Sequence, residues 1–436
     1  MEPCDPASPA PLKARFANFF RCFGPGLITG AADDDPSGIA TYSQTGAQFG
    51  LGMLWTSLYQ IPLLIAVQEA CARIGATTGK GLAGVIRERY NRAILTCVVG
   101  LVIVANTINI GADIGAVAEA VRLVVNIPFT VVAVLAACGI VLLEILVGYE
   151  KYARTLKWFA LALLSYPVTA LIIHEPWGEI LKATFIPHIQ LDFAFLFIIT
   201  GVFGTSISPY MFFWQASQEV EEELSHHLPV EEGKPVLPRN WMRNIRIDTV
   251  TGMAAAEITQ WFIIITTATV LFSHGVTNIA TAADAARALE PLVQSFPHAG
   301  QLAKAIFAIG IIGLGLLGIP VLAGSAGYAA SESLGWQEGL SKKFSEARGF
   351  YAVIIAATFI GLLINFVGID PFRALVLTAV FNGIAAVPLL FVIARINGRS
   401  DILGENKGGA LSRTFVWLTF AVMGLSAAAL FYTLAV

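Results

Sequence analysis

Residues 33–38 read Asp-Asp-Asp-Pro-Ser-Gly and interrupt an apolar stretch that runs from Phe16 to Phe49. Charged side chains within a membrane are costly and by default mark functional sites. Proline and glycine break the helical hydrogen-bond ladder, which hydrocarbon tolerates only where protein or a wet cavity satisfies the freed backbone groups. Broken helices that hold polar groups near the membrane centre are how many transporters build a cation site.

The composition is that of a polytopic membrane protein. The chain has 436 residues, of which 56% are hydrophobic and 13% charged, whereas soluble domains carry roughly 25% charged residues. We therefore expect a lipid bilayer around one integral domain. No basic patch points to nucleic acid, the five cysteines show no zinc or disulfide spacing, and nothing indicates a cofactor or an obligate protein partner.

Hydropathy predicts about eleven spans, each close to the roughly 20 apolar residues that cross a bilayer. The expected spans lie at 18–49, 51–73, 93–120, 128–149, 153–173, 194–219, 246–272, 302–328, 350–367, 371–395 and 413–434. The first and the sixth are broken. Residues 1–17 are predicted to form a cytoplasmic tail without the features of a signal peptide, followed by one transporter domain over 18–436.

Positive charge predicts the orientation of these spans. With the N-terminus inside, 22 of the 27 lysines and arginines fall in cytoplasmic segments and 5 in external ones. This bias follows the positive-inside rule. It predicts a multi-pass cell-membrane protein with a cytoplasmic N-terminus and an extracellular C-terminus.

The second interruption is GVFGTSISPY, residues 201–210, in the sixth span. Paired broken helices in corresponding positions of two halves indicate an inverted-repeat transporter with a central site. The predicted fold is therefore all-α, with repeat one over about 18–173 and repeat two over about 194–395. The segment 413–434 is an extra helix.

Asp35 is the first candidate ligand. It precedes Pro36, and proline suits the first position of a helix, so Asp35 could simply cap the second half-helix. Capping needs no charge, which favours cation coordination. Asp33 and Asp34 are candidates for lining the ion pathway, although mutual repulsion would keep one protonated or facing water.

The second break offers Thr205, Ser206 and Ser208 as hydroxyl and carbonyl donors opposite Asp35. Hydroxyls in membrane helices often bond within their own helix instead. Tyr210 follows directly, and either packs in the core or extends its hydroxyl into the cavity.

Further polar residues lie in other spans. Asn106, Asn109 and Asp113 share one helical face and either join helices by hydrogen bonds or line the pathway. Asn382 has the same two alternatives. Three glutamates are expected near helix ends, at the interface or in salt bridges: Glu69, Glu144 and Glu257.

The six histidines all fall in predicted loops or at helix ends, and the residue directly before Pro209 is not a methionine. Imidazole and thioether ligands suit transition metals, whereas carboxylate, carbonyl and water suit magnesium. The central site is therefore predicted to be built of oxygen alone. One carboxylate with hydroxyls, carbonyls and retained waters is a style of site typical of Mg²⁺.

In these features the chain resembles the NRAMP family of divalent-metal transporters. The resemblance rests on four stretches: GPGLITGAADDDPSG from residue 24, QEACARIGATTGKGLAGVIRERY from 68, ANTINIGADIG from 105 and SPYMFFWQ from 208. It implies eleven or twelve spans in a LeuT-like inverted repeat of five plus five, and alternating access for metal uptake.

The family's first-span motif is Asp-Pro-Gly-Asn, where this chain has Asp35 but Gly38 in place of the asparagine. Its sixth-span motif is Met-Pro-His, where Ser208 replaces the methionine and Tyr210 the histidine. Thr205 aligns with the family residue that supplies a backbone carbonyl to the metal.

Two further positions depart from the family in residues that titrate. A second family histidine aligns with Gln215. Asp113 matches a family acid, but the glutamate expected three residues later is Ala116. These departures look like the NRAMP-related magnesium transporter branch, which replaces the soft ligand and widens the site.

The sequence thus predicts a transporter, not an enzyme, that imports Mg²⁺, together with Mn²⁺, without obligatory proton coupling. The predicted metal site comprises Asp35, Gly38, Thr205 and Ser208, with Gly38 leaving room for water. One alternative is a proton-coupled Mn²⁺/Fe²⁺ importer of the family's usual kind. Another is a cation-coupled carrier of organic solutes, against which three adjacent carboxylates argue. An intramembrane enzyme is disfavoured because no HExxH motif is present.

Overall fold

The computed structural model describes residues 24–147, 163–173, 176–231 and 233–435. Besides α-helices and a few 3₁₀ turns, these ranges contain one short antiparallel hairpin of Val230–Glu231 with Lys234–Pro235. The predicted tail, 1–17, and the first part of the predicted fifth span, 153–162, lie outside the described residues.

The α-helices are numbered here in chain order. They are α1 Pro25–Asp33, α2 Pro36–Phe49, α3 Trp55–Thr78, α4 Leu82–Arg89, α5 Arg92–Val124, α6 Phe129–Leu146, α7 Ser165–Ile172, α8 Trp177–Phe185, α9 Phe193–Ser206, α10 Pro209–Ser225, α11 Trp241–Val270, α12 Ala282–Ala286, α13 Ala299–Leu334, α14 Arg348–Ile364, α15 Pro371–Asn397, α16 Ser400–Leu403 and α17 Ala410–Ala435.

The helices have the length and composition of a multi-pass membrane protein. Within the described ranges, seven helical segments are long and apolar enough to cross a bilayer, counting Phe193–Ser225 as one. An eighth is added if Pro36–Met53 and Trp55–Thr78, which meet at a bend of 107°, form one span. The all-α prediction is confirmed, and the count of eleven spans stays a prediction.

Both predicted helix breaks are present. α1 ends at Asp33 and α2 begins at Pro36; α9 ends at Ser206 and α10 begins at Pro209. Each second half starts with proline, whose missing N–H and fixed φ suit the first helical position. The two-residue connections therefore follow directly from the sequence.

Glycines bring the first half of each broken span against a neighbouring backbone. A Cβ added to Gly30 of α1 would lie 2.4 Å from the Gly252 carbonyl oxygen of α11. A Cβ added to Gly204 of α9 would lie 2.1 Å from the Ala379 carbonyl oxygen of α15. Small residues permit such close approach between membrane helices, so the two breaks are held at fixed positions in the bundle.

The N-terminus of α1 is capped by a side chain from another helix. Asp248 of α11 accepts hydrogen bonds from the amides of Gly26 at 2.6 Å and Leu27 at 3.2 Å. The first amides of a helix have no partner within it, and a carboxylate there also meets the positive end of the helix dipole. Asp248 therefore fixes α1 to α11.

α5 and α13 pack lengthwise against each other beside the first break. A Cβ added to Gly318 of α13 would lie 3.1 Å from the Cβ of Asp35, and one on Gly315 would lie 3.5 Å from Pro36. These glycines let the break sit close to α13. The polar face of α5 is thereby brought to the same level as Asp35.

Candidate functional site

Asp35 lies between α1 and α2 and receives hydrogen bonds from three parts of the fold. Its Oδ1 accepts from the Ser37 hydroxyl at 2.6 Å and from the Gly38 amide at 2.9 Å. Its Oδ2 accepts from the Asn109 amide of α5 at 3.1 Å, and the Tyr210 hydroxyl of α10 lies 3.4 Å away. Asp35 is 1% exposed. The carboxylate therefore caps α2 through Oδ1, as one alternative predicted. Its Oδ2 is directed away from the cap, toward α5 and α10.

The hydroxyl of Tyr210 joins α10 to both sides of the first break. It lies 3.0 Å from the carbonyl oxygen of Ala32, in the last turn of α1, and 3.4 Å from Asp35 Oδ2. A phenol has one hydrogen to donate, and the shorter contact assigns it to Ala32, a carbonyl without a helical partner. Asp35 Oδ2, with contacts of 3.1 Å and 3.4 Å, is thus more weakly satisfied than Oδ1.

The polar face of α5 lies next to Asp35 Oδ2. Asn109 Oδ1 and both carboxylate oxygens of Asp113 are buried and have no hydrogen-bond partner among the described residues. Asp113 is close enough to Asp35 to interact with it electrostatically. Buried polar atoms without partners are rare and call for an explanation such as an ion or water.

Asn106, on the same face of α5, has a different partner. Its amide donates to the Leu322 carbonyl of α13 at 2.9 Å, so it links two helices. Asn382 of α15 is buried, and its amide nitrogen has no partner in the described part of the chain. On this face of α5, Asn106 therefore links two helices, whereas Asn109 contacts the carboxylate of Asp35.

The hydroxyls of the second break have mixed orientations. The Ser208 hydroxyl lies 2.5 Å from the Gly204 carbonyl oxygen and 2.7 Å from that of Thr205, so its one hydrogen is directed at the end of its own broken span. The Thr205 hydroxyl instead lies 3.2 Å from the Ser37 hydroxyl, across the gap between the breaks. Asp35, Thr205 and Tyr210 are therefore brought together through direct contacts or one intervening hydroxyl. Ser208 lies beside them with its hydroxyl turned to backbone.

Gly38 keeps the space between the breaks clear. A Cβ there would lie 3.1 Å from the Asp33 carbonyl oxygen, 3.3 Å from the Tyr42 ring and 3.5 Å from the Thr205 hydroxyl. Any side chain at this position would fill the gap that faces Thr205.

Asp33 and Asp34 lie on the other side of the break, near Glu257 of α11. Both aspartates are buried, and each has one carboxylate oxygen without a partner among the described residues. Both interact electrostatically with Glu257. Glu257 is 1% exposed in the middle of α11, so the expectation that it lies near a helix end was wrong.

The other two glutamates differ from each other in their surroundings. Glu69 forms ion pairs with Arg73 at 2.6 Å and Arg246 at 2.9 Å, as predicted. Glu144 is 4% exposed in α6, with neither carboxylate oxygen hydrogen-bonded within the described ranges. Its predicted interfacial position was wrong, because proximity to a helix end does not determine burial, and its predicted ion pair stays a prediction.

Ser37 is the residue that sequence reasoning missed. It follows Pro36 in the motif, and a hydroxyl within the first turn after a capping aspartate could have indicated contact with that carboxylate. Within the described residues, no three histidine, cysteine, aspartate or glutamate side chains are arranged to hold one metal ion. Of the groups that contact the Asp35 carboxylate directly, all are amides or hydroxyls, and the Asp113 carboxylate lies further away on α5.

The chain belongs to the Nramp family, because the family model for natural resistance-associated macrophage protein-like sequences matches residues 26–433. A divalent metal cation transporter MntH of Chromohalobacter salexigens is 28% identical over 67% of this chain and 66% of its own length. The MntH of Ralstonia nicotianae is 25% identical over 93% of this chain and 89% of its own. The predicted family resemblance is confirmed.

Solved structures share the fold. A crystal structure of the Eremococcus coleocola manganese transporter matches with a TM-score of 0.75 and 15% identity, covering 98% of this chain and 89% of that one. MhsT in complex with L-phenylalanine matches with a TM-score of 0.62 and 12% identity, over 94% and 98% of the two chains. The predicted LeuT-like transporter fold is thereby confirmed.

Proposed function

We propose that this protein carries divalent metal cations across a membrane by alternating access, with Mg²⁺ as the main cargo and Mn²⁺ also accepted. The proposal starts from the family, whose curated relatives are named as divalent metal cation transporters. The observation that carries it is the buried carboxylate of Asp35 at the first break, whose Oδ2 has only longer hydrogen bonds and which has oxygen-bearing side chains around it.

The donor set supports a hard, partly hydrated ion. Asp35, Asn109, Ser37 and Thr205 supply only oxygen and amide groups near the first break. Carboxylate, carbonyl and water ligands suit magnesium, which gives up its waters reluctantly. Gly38 adds no side chain between Asp35 and Thr205, where a Cβ would come within 3.5 Å of the Thr205 hydroxyl. Ser208 stays a proposed ligand whose hydroxyl would have to turn from its two carbonyl partners to reach the ion.

We further propose that transport does not require protons. Gln215, at the position of a family histidine, has a neutral side chain that accepts from the Thr29 hydroxyl at 2.6 Å and donates to Glu219 at 2.9 Å. Ala116 has no titratable group. Membrane potential alone would drive a dication inward by about 4.6 kcal/mol per 100 mV, which is twice the value for one charge.

The second candidate is a proton-coupled importer of Mn²⁺ or Fe²⁺. It is favoured by the buried carboxylates that lack partners within the described residues, namely those of Asp113 and Glu257. Such groups could bind and release protons during a transport cycle.

The setting of the protein is part of the same proposal. We place it in the cell membrane with the N-terminus cytoplasmic and the C-terminus extracellular, since positive charges are concentrated in the segments that this orientation places inside. The repeats are proposed as 18–173 and 194–395, with 413–434 as the extra helix.

The test is a flux assay in vesicles that contain the purified protein, with dyes for Mg²⁺ and pH in the same lumen. We expect Mg²⁺ influx that follows an imposed negative potential, with no matching acidification, and Mn²⁺ influx that excess Mg²⁺ inhibits. Mn²⁺ influx that acidifies the lumen and ignores excess Mg²⁺ would establish the second candidate instead.

A further inference from the structure

The Ser37 hydroxyl connects the two helix breaks. Its oxygen lies 2.6 Å from Asp35 Oδ1 on one side and 3.2 Å from the Thr205 hydroxyl on the other. Ser37 and Thr205 are each 1% exposed. The position is thus shielded from bulk solvent, and its hydrogen-bonding groups can respond only to what occupies the site.

A hydroxyl in this position can serve two states of the site. Serine has one hydrogen to donate and two lone pairs to accept. With the site as described, the hydrogen goes to Asp35, whose Oδ1 also accepts the Gly38 amide. A dication on Asp35 repels that hydrogen and attracts the lone pairs. Rotation of one bond then turns the oxygen toward the ion or toward a water that the ion carries.

Thr205 extends this oxygen surface to the second break. Its hydroxyl is within hydrogen-bond distance of Ser37, and a Cβ on Gly38 would come within 3.5 Å of it. The two hydroxyls therefore border the gap that Gly38 keeps clear. A water bound to the ion could donate its hydrogens to both hydroxyl oxygens. An ion that has lost its waters cannot make this contact.

We infer that Ser37 is a specificity-determining residue that favours Mg²⁺ over Mn²⁺ by accepting a hydrogen bond from the ion's retained water, with Thr205 as its partner. The inference rests on the proposed function, since it assumes that Asp35 binds the cargo. Magnesium dehydrates reluctantly and keeps several waters in protein sites, so a hydroxyl that accepts from such a water stabilises Mg²⁺ more than Mn²⁺.

The experiment measures Mg²⁺ and Mn²⁺ influx in vesicles, each over a range of ion concentrations, for the wild type, Ser37→Ala and Ser37→Thr. Loss of one hydrogen bond changes binding about tenfold, so Ser37→Ala should lower the Mg²⁺ to Mn²⁺ ratio of kcat/KM about tenfold, chiefly by raising the KM for Mg²⁺. Ser37→Thr, which keeps the hydroxyl, should restore most of the ratio.

Thr45→Val is the matched control. Thr45 is a buried residue of α2 whose hydroxyl donates to the Thr41 carbonyl at 2.7 Å, within its own helix. Its loss should leave the ion ratio unchanged. Ser37→Cys, which replaces the hard oxygen by a soft sulfur of similar size, should shift the ratio toward Mn²⁺ and provides a second variant if Ser37→Ala does not fold.

Two results would overturn the inference. One is an unchanged ratio in Ser37→Ala and Ser37→Cys with Mg²⁺ influx retained. The other is an equal loss of Mg²⁺ and Mn²⁺ influx, which would mean that Ser37 only positions Asp35. Absence of Mg²⁺ influx in the wild type would instead refute the proposed cargo, so the two failures are separable.

Discussion

The two helix breaks have the same backbone construction but differ in which groups satisfy them. At the first, the Ala32 carbonyl is bonded by Tyr210 of α10, and Asp35 accepts from Asn109 of α5. At the second, Ser208 directs its one hydroxyl hydrogen at two carbonyls of the preceding turn. The carbonyl freed at the first break therefore depends on another helix, whereas those of Gly204 and Thr205 at the second are contacted locally. The Ser206 hydroxyl of the second break contacts Tyr42 at 2.9 Å and Gln260 at 3.2 Å.

This difference assigns separate tasks to the breaks. Backbone freed within a membrane must be satisfied by protein or water, and a break satisfied from elsewhere is coupled to the position of those helices. The first break presents a carboxylate whose partners lie on α5 and α10. The second contributes a hydroxyl at Thr205 and fixes the start of α10, which carries Tyr210.

The charge of Asp35 should be essential. Asparagine caps helices about as well as aspartate, so Asp35→Asn keeps the cap of α2 and removes only the charge. We expect Mg²⁺ and Mn²⁺ influx to fall at least about 100-fold, because loss of an ionised ligand costs several kcal/mol of binding. Vesicle flux at matched protein content measures this.

Asp192→Asn is the control for that substitution. Asp192 caps α9, where it accepts from the Phe195 amide at 2.9 Å, and it lies at the start of the other broken span. Transport should stay within about twofold of the wild type, since only a cap is exchanged. If Asp35→Asn transported as well as Asp192→Asn, Asp35 would be a cap alone.

Asn109 should affect transport, whereas Asn106 should affect stability. Asn109→Ala removes the donor to Asp35 Oδ2, and we expect a loss of influx of about tenfold, corresponding to one charge-assisted hydrogen bond. Asn106→Ala removes the bond to Leu322, which should cost about 0.6 kcal/mol of stability with influx nearly unchanged. Thermal denaturation in detergent and vesicle flux distinguish the two, and equal effects would contradict the division of the α5 face.

Tyr210→Phe should slow transport and weaken the first break. The buried Ala32 carbonyl loses its hydroxyl donor, and an unpaired buried acceptor costs about 1–3 kcal/mol. We expect a lower melting temperature and a severalfold lower maximal rate with a similar KM. A variant that matched the wild type in both measurements would show that the phenol is dispensable for holding α1.

Ser208→Met tests whether the second break can reach the ion. A thioether there is a soft ligand that suits Mn²⁺ better than Mg²⁺, so competition assays should show a severalfold shift toward Mn²⁺. Unchanged selectivity would mean that the side chain at position 208 faces its own helix only, as the hydroxyl does in the structure.

The sequence predicts what is determined locally. Both breaks were predicted, because proline, glycine and aspartate at these positions act through their own backbone. The contacts that complete the first break could not be derived, since Asn109 and Tyr210 lie 74 and 175 residues from Asp35 along the chain. Glu257 was misjudged for the same reason: its burial against Asp33 depends on how α11 packs on α1, which no local pattern encodes.

The most direct test of the account is where the cation sits. Crystals of the protein soaked in Mn²⁺, which scatters anomalously and is proposed to be transported, should show an anomalous peak within coordination distance of the Asp35 carboxylate. The Asp35→Asn variant should lose that peak. A peak elsewhere in the membrane region, with none at Asp35, would contradict the assignment of this carboxylate as the ion ligand.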